Sequence, residues 1–209
     1  MSITTQFLRR PLTTGAVAAS SRRLARAMTQ HTGLETARLV VELGPGTGVF
    51  TREILRQLPV DGRLVAIELN PVLAAGLFVT HRDERLTVVE GAAAELAEAA
   101  GAPVDAVVSG LPWTVMATAE RDRTLDAVAG ALVPGGCFTT FAYLHAAWTP
   151  PGRRLAAALH DRFATVRRTR VVWPNLPPAF VYRATLTTTR EDTAGSGSAG
   201  PRASRSSRG

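Results

Sequence analysis

Two glycine-bearing turns and two acids are the residues whose types and spacing could do chemistry. The first turn, Glu42-Leu43-Gly44-Pro45-Gly46-Thr47-Gly48, follows the apolar run "RLVV" and leads into a helical period. Glycines let backbone N–H groups come close to a ligand. The spacing is G-x-G-x-G. A dinucleotide pyrophosphate wants G-x-G-x-x-G, and Val49 stands where that pattern has its last glycine. Glu42 would also oppose a pyrophosphate with like charge; it suits a ligand carrying an ammonium and a sulfonium. Glu68 ends the next apolar run, in "AIELN". The second turn is Ser109-Gly110-Leu111-Pro112-Trp113. Gly110 admits close backbone approach and Pro112 stiffens the loop. Trp113 offers a flat, electron-rich face for a planar base or a methylated ammonium. Farther on, Tyr143 could orient an amine through its hydroxyl, and His145 could accept a proton near neutral pH. Glu95 follows the third apolar run in "VVEGAAAEL" and reads as a solvated acid of a helix's first turn.

The elements that must position these residues alternate. Short apolar runs at 37–43, 62–69, 85–91, 104–110 and 137–144 read as strands. Between them, 47–58 shows Phe50, Ile54 and Leu58 at helical spacing. Pro71 can open a helix behind an Asn70 cap, and 118–132 is a helix stopped by Pro134-Gly135-Gly136. Ser20 or Ser21 can cap a first helix running to about Gln30. A short helix follows Pro150-Pro151-Gly152, and 166–173 with 179–188 can close the sheet as an antiparallel pair. Nearly continuous apolar strands separated by helices imply α/β architecture: a Rossmann-like, doubly wound sheet, mostly parallel, with an antiparallel closing strand. Its ligand belongs at the carboxyl ends of the strands. The expected division is an N-terminal segment and helix at 1–36, the main domain at 37–190 and a disordered Gly/Ser/Arg tail at 191–209.

Composition narrows the class. The 209 residues, 45% hydrophobic, can bury one domain's core. A single cysteine, Cys137, excludes a disulfide framework and a thiolate zinc site, and the four histidines show no ligand spacing, so no metal is expected. No apolar run reaches bilayer-spanning length and no signal-type stretch opens the chain. The expectation is a cytoplasmic protein able to sit peripherally on the inner face of a membrane. The net charge of +7 is uneven: residues 153–190 hold 8 Arg and 1 acid, whereas 41–152 hold 7 Arg and 13 acids. That asymmetry suits an anionic partner, phospholipid or nucleic acid. Phe7, Leu8, Arg9 and Arg10, and again Trp148, Arg153, Arg154 and Leu155, mix apolar and basic groups as a weak interfacial anchor would.

"VVELGPGTGVF" resembles the first motif of the class I S-adenosylmethionine-dependent methyltransferases. The resemblance implies that Glu42, Gly44, Pro45, Gly46, Thr47 and Gly48 cradle the methionine part of S-adenosyl-L-methionine. It implies that Glu68, with Leu69 beside it, takes the ribose hydroxyls. An acid usually follows the glycine after the third strand and holds the adenine amine; here Ala92 stands there, leaving the backbone of Gly91, Ala92 and Ala93, or Glu95. Ser109 falls on the cofactor side of the fourth strand's end, and Gly110, Leu111, Pro112, Trp113 and Tyr143 on the acceptor side.

Within that class, "FLRRPLTTGAVAASSRRLARAM", the S-G-L-P turn and "VWPNLPPAFVYR" resemble the bacterial phospholipid N-methyltransferases, which methylate phosphatidylethanolamine. The rRNA adenine dimethyltransferases are similar too, but place an Asn where Gly110 stands; their aromatic-type amine needs such help, whereas an alkylamine only has to lose a proton. Asn175-Leu176-Pro177-Pro178 reads as a turn at the rim of the pocket. The expected activity is N-methylation of a phosphatidylethanolamine-type lipid. The alternatives are an rRNA adenine N6-methyltransferase with RNA as partner, and a small-amine methyltransferase or non-catalytic cofactor-binding protein.

Overall fold

The computed structural model describes residues 20–188. The Phe7–Arg10 anchor and the tail at 191–209 lie outside them. Among the described residues seven strands form one sheet in the order β3-β2-β1-β4-β5-β7-β6. In chain order the elements are α1 (Arg22–Thr29), β1 (Leu39–Leu43), α2 (Val49–Gln57), β2 (Arg63–Glu68), α3 (Pro71–Thr80), β3 (Leu86–Glu90) and α4 (Leu96–Ala100). Then come β4 (Val104–Ser109), α5 (Thr118–Ala131), β5 (Leu132–Tyr143), α6 (Pro150–His160), β6 (Thr165–Arg168) and β7 (Ala179–Thr185). The first five strands are parallel; β7 runs antiparallel to both β5 and β6. This is the expected Rossmann-like, doubly wound sheet, mostly parallel and closed by an antiparallel strand.

All five residues of β1 are buried, because helices cover both faces. Alternate residues serve the two layers. Val40 packs with Leu24, Met28, Ile54 and Leu55 of α1 and α2. Val41 and Leu43 pack with Leu96, Leu125, Leu155 and Leu159 of α4, α5 and α6. Ser21 caps α1, its Oγ accepting Leu24 N–H at 3.1 Å, and Asn70 caps α3 ahead of Pro71. Asp105 of β4 anchors the start of β1 by accepting the N–H groups of Arg38 and Leu39 at 2.8 and 2.9 Å.

Two expected boundaries move. Pro134-Gly135-Gly136 does not separate α5 from its strand: β5 begins at Leu132, and the segment is a bulge where the register jumps from Val104↔Leu132 to Ala106↔Cys137. The helix expected after Gly152 begins at Pro150, since Thr149 caps it and the first helical positions need no N–H partner. The five-residue α4 falls in a stretch that carries no helical period in the sequence.

Candidate active site

The carboxyl ends of β1, β2, β4 and β5 surround an open cavity of about 560 Å³. Its floor is the glycine turn after β1. Gly44, Gly46 and Gly48 have φ of 66°, 57° and 79°. Gly44 is pinned, its N–H donating to Ile67 O at 2.9 Å. The turn after β4 presses on it: Gly110 N–H donates to Leu43 O at 2.8 Å, and a Cβ on Gly110 would lie 2.6 Å from Gly44 O. The two turns therefore form one unit.

Glu68 braces that unit from β2. One carboxylate oxygen accepts Gly46 N–H at 3.0 Å and the other accepts Asn70 N–H at 3.0 Å. It is buried yet lines the cavity. Burial raises its pKa, against the pull of the backbone N–H groups of Asn70, Gly46 and Leu69. A carboxylate has about four acceptor sites, so Glu68 keeps capacity for a hydroxyl donor beyond these backbone bonds. Pro45, Thr47, Leu69, Gly91, Ala92 and Ala93 complete this half of the wall. Glu95 stands back from it: its Oε2 accepts Ala92 N–H at 3.1 Å.

Glu42, Gly48 and Ser109, expected at the cofactor, do not line the cavity. Glu42 shares β1's Val40 face and turns toward α2, where Thr51 Oγ1 donates to its Oε2 at 2.7 Å. It is 0% exposed, and its Oε1 has no partner. Burial pushes its pKa up to about 8, with a smaller push from Glu68. That shift favours the protonated acid at neutral pH. A pH effect follows. The native state keeps this proton up to about pH 8, while the unfolded chain releases it near 4.5. Stability therefore falls as pH rises between those values and levels off above. Glu42→Gln should remove a slope of about 1.4 kcal/mol per pH unit inside that window. Urea denaturation at pH 5 and pH 8 measures it; parallel losses in both proteins would count against it.

Ser109 explains its own turn. Its buried Oγ accepts Leu111 N–H at 3.3 Å and the Trp113 indole N–H at 3.1 Å, and its carbonyl accepts from Thr140 Oγ1 at 3.2 Å. It positions the acceptor turn. Trp113 is then drawn inward, 2% exposed, with its ring edge-on to Phe138 at 6.0 Å. The free aromatic face expected of Trp113 is spent in the core, because a buried indole N–H needs an acceptor and Ser109 supplies one. Trp113 reaches the wall with a small margin only, beside Gly110, Leu111 and Pro112.

Other rings take the acceptor side. Phe50, Phe141, Tyr143 and His145 line the cavity in sequence. Phe50 meets Phe141 edge-on at 6.1 Å, Phe141 meets Tyr143 edge-on at 5.5 Å, and Tyr143 stacks on His145 at 5.8 Å. Burial raises the Tyr143 pKa, which keeps the phenol protonated. Sequence reasoning named Tyr143 but missed Phe141, two residues earlier and so on the same strand face. Phe50 had been assigned to a helix's buried stripe. Glu120, Arg123 and Thr124 of α5 were missed as well. Among the described residues no cluster of His, Cys, Asp or Glu could hold a metal.

A family model described as a methyltransferase domain matches residues 40–136, from β1 through both turns. That stretch carries a methyltransferase domain, and the fold around it is that of the class I S-adenosylmethionine-dependent methyltransferases. The chain is an enzyme of that class, and S-adenosyl-L-methionine is its cofactor. The cavity fits that group: Gly44, Gly46 and Gly110 line it, and the Glu68 carboxylate stands beside the first turn, bonded to Gly46 N–H.

The ornithine lipid N-methyltransferase of Singulisphaera acidiphila is 29% identical to this methyltransferase over 182 residues, covering 85% of this chain and 91% of that protein. The ribosomal RNA small subunit methyltransferase A of Kineococcus radiotolerans is 40% identical over 82 residues, but these cover 37% of this chain and 26% of that protein. The O-methyltransferase TomG from Streptomyces achromogenes, solved with S-adenosylmethionine, superposes with a TM-score of 0.64 at 19% identity, over 89% of this chain and 91% of that one. Among the described residues no helix is long and apolar enough to cross a membrane.

Proposed function

We propose that this methyltransferase acts on the primary amine of a phosphatidylethanolamine-type lipid. The observation that carries the reading is the row of rings from Phe50 to His145 beside an acceptor turn with no amide side chain. Aromatic faces attract an alkylammonium and its methylated forms. They give a planar aromatic amine none of the carbonyl-type acceptors its delocalised lone pair would need. The relative whose name states N-methylation of a lipid, aligned over most of both chains, supports the same reading.

When bound, the cofactor supplies an electrophilic methyl group on a positively charged sulfur. The chain's part is positioning and exclusion of water. Glu68 and the glycine turn hold one side of the cavity. Leu111 and Pro112 shape the other, and their apolar surface favours the neutral, nucleophilic amine at the reacting position, while the ring row holds the charged, methylated forms. The amine nitrogen gains a bond to carbon, the carbon–sulfur pair stays on sulfur, and the amine proton leaves to water at the open mouth. Tyr143 keeps its own proton and can steer the amine with its hydroxyl.

The test uses methyl-labelled cofactor and the full chain, offered phosphatidylethanolamine vesicles and ribosomal RNA side by side. Label should enter the lipid. Phe141→Leu should slow that transfer several-fold, about the size of a lost cation–π contact, with cofactor affinity in calorimetry unchanged. Label in RNA alone would transfer the reading to nucleic acid; label in neither would leave the acceptor among small amines.

A further inference from the structure

Large apolar side chains stand exposed around the mouth of the cavity. Val115 belongs to the wall itself. Trp148, 76% exposed, ends the short turn Leu144–Trp148 that carries the wall residues His145 and Ala146. Trp173, 67% exposed, and Leu176, 82% exposed, sit on the connection between β6 and β7, next to the wall residue Pro177. Hydrogen bonds tie these pieces into one rim. Leu144 N–H donates to Pro178 O at 2.8 Å. Ser21 N–H donates to Asn175 Oδ1 at 2.9 Å, and Asn175 Nδ2 donates to Pro177 O at 2.8 Å. The start of α1 is thereby fixed to the turn that lifts Leu176 into solvent.

The charge around this rim is one-sided. Exposed Arg22 and Arg23 follow Ser21, Arg153 and Arg154 follow Trp148, and Arg170 precedes Trp173. Asp161 is the one acid among residues 145–190, and the cavity wall itself holds Glu120, together with Arg123, and Glu68 deep within it.

We propose that this rim docks on an anionic phospholipid bilayer, with Trp148, Trp173 and Leu176 entering the headgroup layer and the arginines meeting lipid phosphates. Tryptophan favours that layer because its ring is apolar and its N–H is wet. Basic side chains beside it gain from the negative surface potential of such a bilayer. A nucleic acid backbone would satisfy the arginines but leave Leu176, Val115 and two tryptophan rings in water. Docked this way, the cavity opens onto the membrane, so a headgroup amine enters without its acyl chains crossing water. This last step rests on the lipid reading above; the docking itself does not.

The experiment sediments the full chain with vesicles of phosphatidylglycerol and phosphatidylcholine, and with phosphatidylcholine alone. The protein should bind the anionic vesicles, release them as salt rises, and shift its tryptophan emission to the blue; Trp113 is already buried and contributes no shift. The double variant Trp173→Ser/Leu176→Ser should lose binding on the order of tenfold or more. Its melting temperature and its affinity for S-adenosylhomocysteine should be unchanged. Equal vesicle binding by variant and wild type would overturn the proposal, as would wild-type binding to ribosomal RNA with none to vesicles. A monomeric short-chain phosphatidylethanolamine separates the two readings. Methylation of that lipid without docking overturns the rim alone; docking without methylation of either lipid form overturns the amine reading alone.

Discussion

Gly110→Ala should cost the enzyme roughly ten- to a hundredfold in cofactor affinity while the chain stays folded. The added Cβ would sit 2.6 Å from Gly44 O and 3.4 Å from the Phe50 ring. Gly44 O is backbone, held by the Gly44 N–H bond to Ile67, so no flexible side chain can give way. Gly110 is itself tied to Leu43 O. The clash must be relieved by lifting one turn off the other, and each is a wall of the cavity. Overpacking of this kind costs about 1–3 kcal/mol. The glycine turn is a loop beyond the end of β1, so distortion there spares the core. Calorimetric titration with S-adenosylhomocysteine reads the effect. Gly130→Ala on α5, where a Cβ meets nothing within 4 Å, is the matched control and should leave affinity unchanged. An undiminished affinity in Gly110→Ala would mean the turns are not one unit.

Glu68→Ala should remove cofactor binding to a similar or greater extent, by another route. It strips the acceptor from two backbone N–H groups at once, Gly46 and Asn70, in a site only 4% exposed. Each donor left unpaired costs about 1–3 kcal/mol. Loss of the bond from Gly46 N–H frees the glycine turn, and loss of the bond from Asn70 N–H loosens the start of α3. Glu68→Gln separates bracing from charge. The amide keeps one acceptor but sets an NH2 group against one of the two donors, so its affinity should fall between wild type and Glu68→Ala. A melting curve run beside the titration shows whether the site or the whole fold has failed. Wild-type affinity in Glu68→Ala would remove this carboxylate from the cofactor site.

What was legible in the sequence follows from how each residue is used. The central strands read clearly because burial on both faces makes them continuous apolar runs. The caps at Ser21 and Asn70 and the glycine turn read clearly because their chemistry is local. Glu42 did not: its role depends on strand parity, which turns it to the α2 side and Thr51 rather than up into the turn. Counting alternate positions from Val40 would have found this. Trp113 did not either, since an exposed face was inferred from residue type, whereas Ser109 four residues earlier decides where the ring goes. The ring row was half visible, because Phe50 and Phe141 come from elements on different sides of the glycine turn. The antiparallel closing pair was foreseen, but nothing in its pattern of residues said that β7 would lie inside β6.

That placement has a consequence for how the molecule comes to be built. β7 is the last described strand to leave the ribosome, yet it is an interior one, with β5 on one side and β6 on the other. β1 to β5 can pair as they emerge, but until Ala179–Thr185 arrives, twelve-residue β5 is a bare edge. An uncovered apolar edge invites pairing with another nascent chain. The segment that seals this edge also fixes the β6–β7 connection beside the cavity. The arrival of β7 is thus a single event that protects the sheet from aggregation and completes the mouth of the active site.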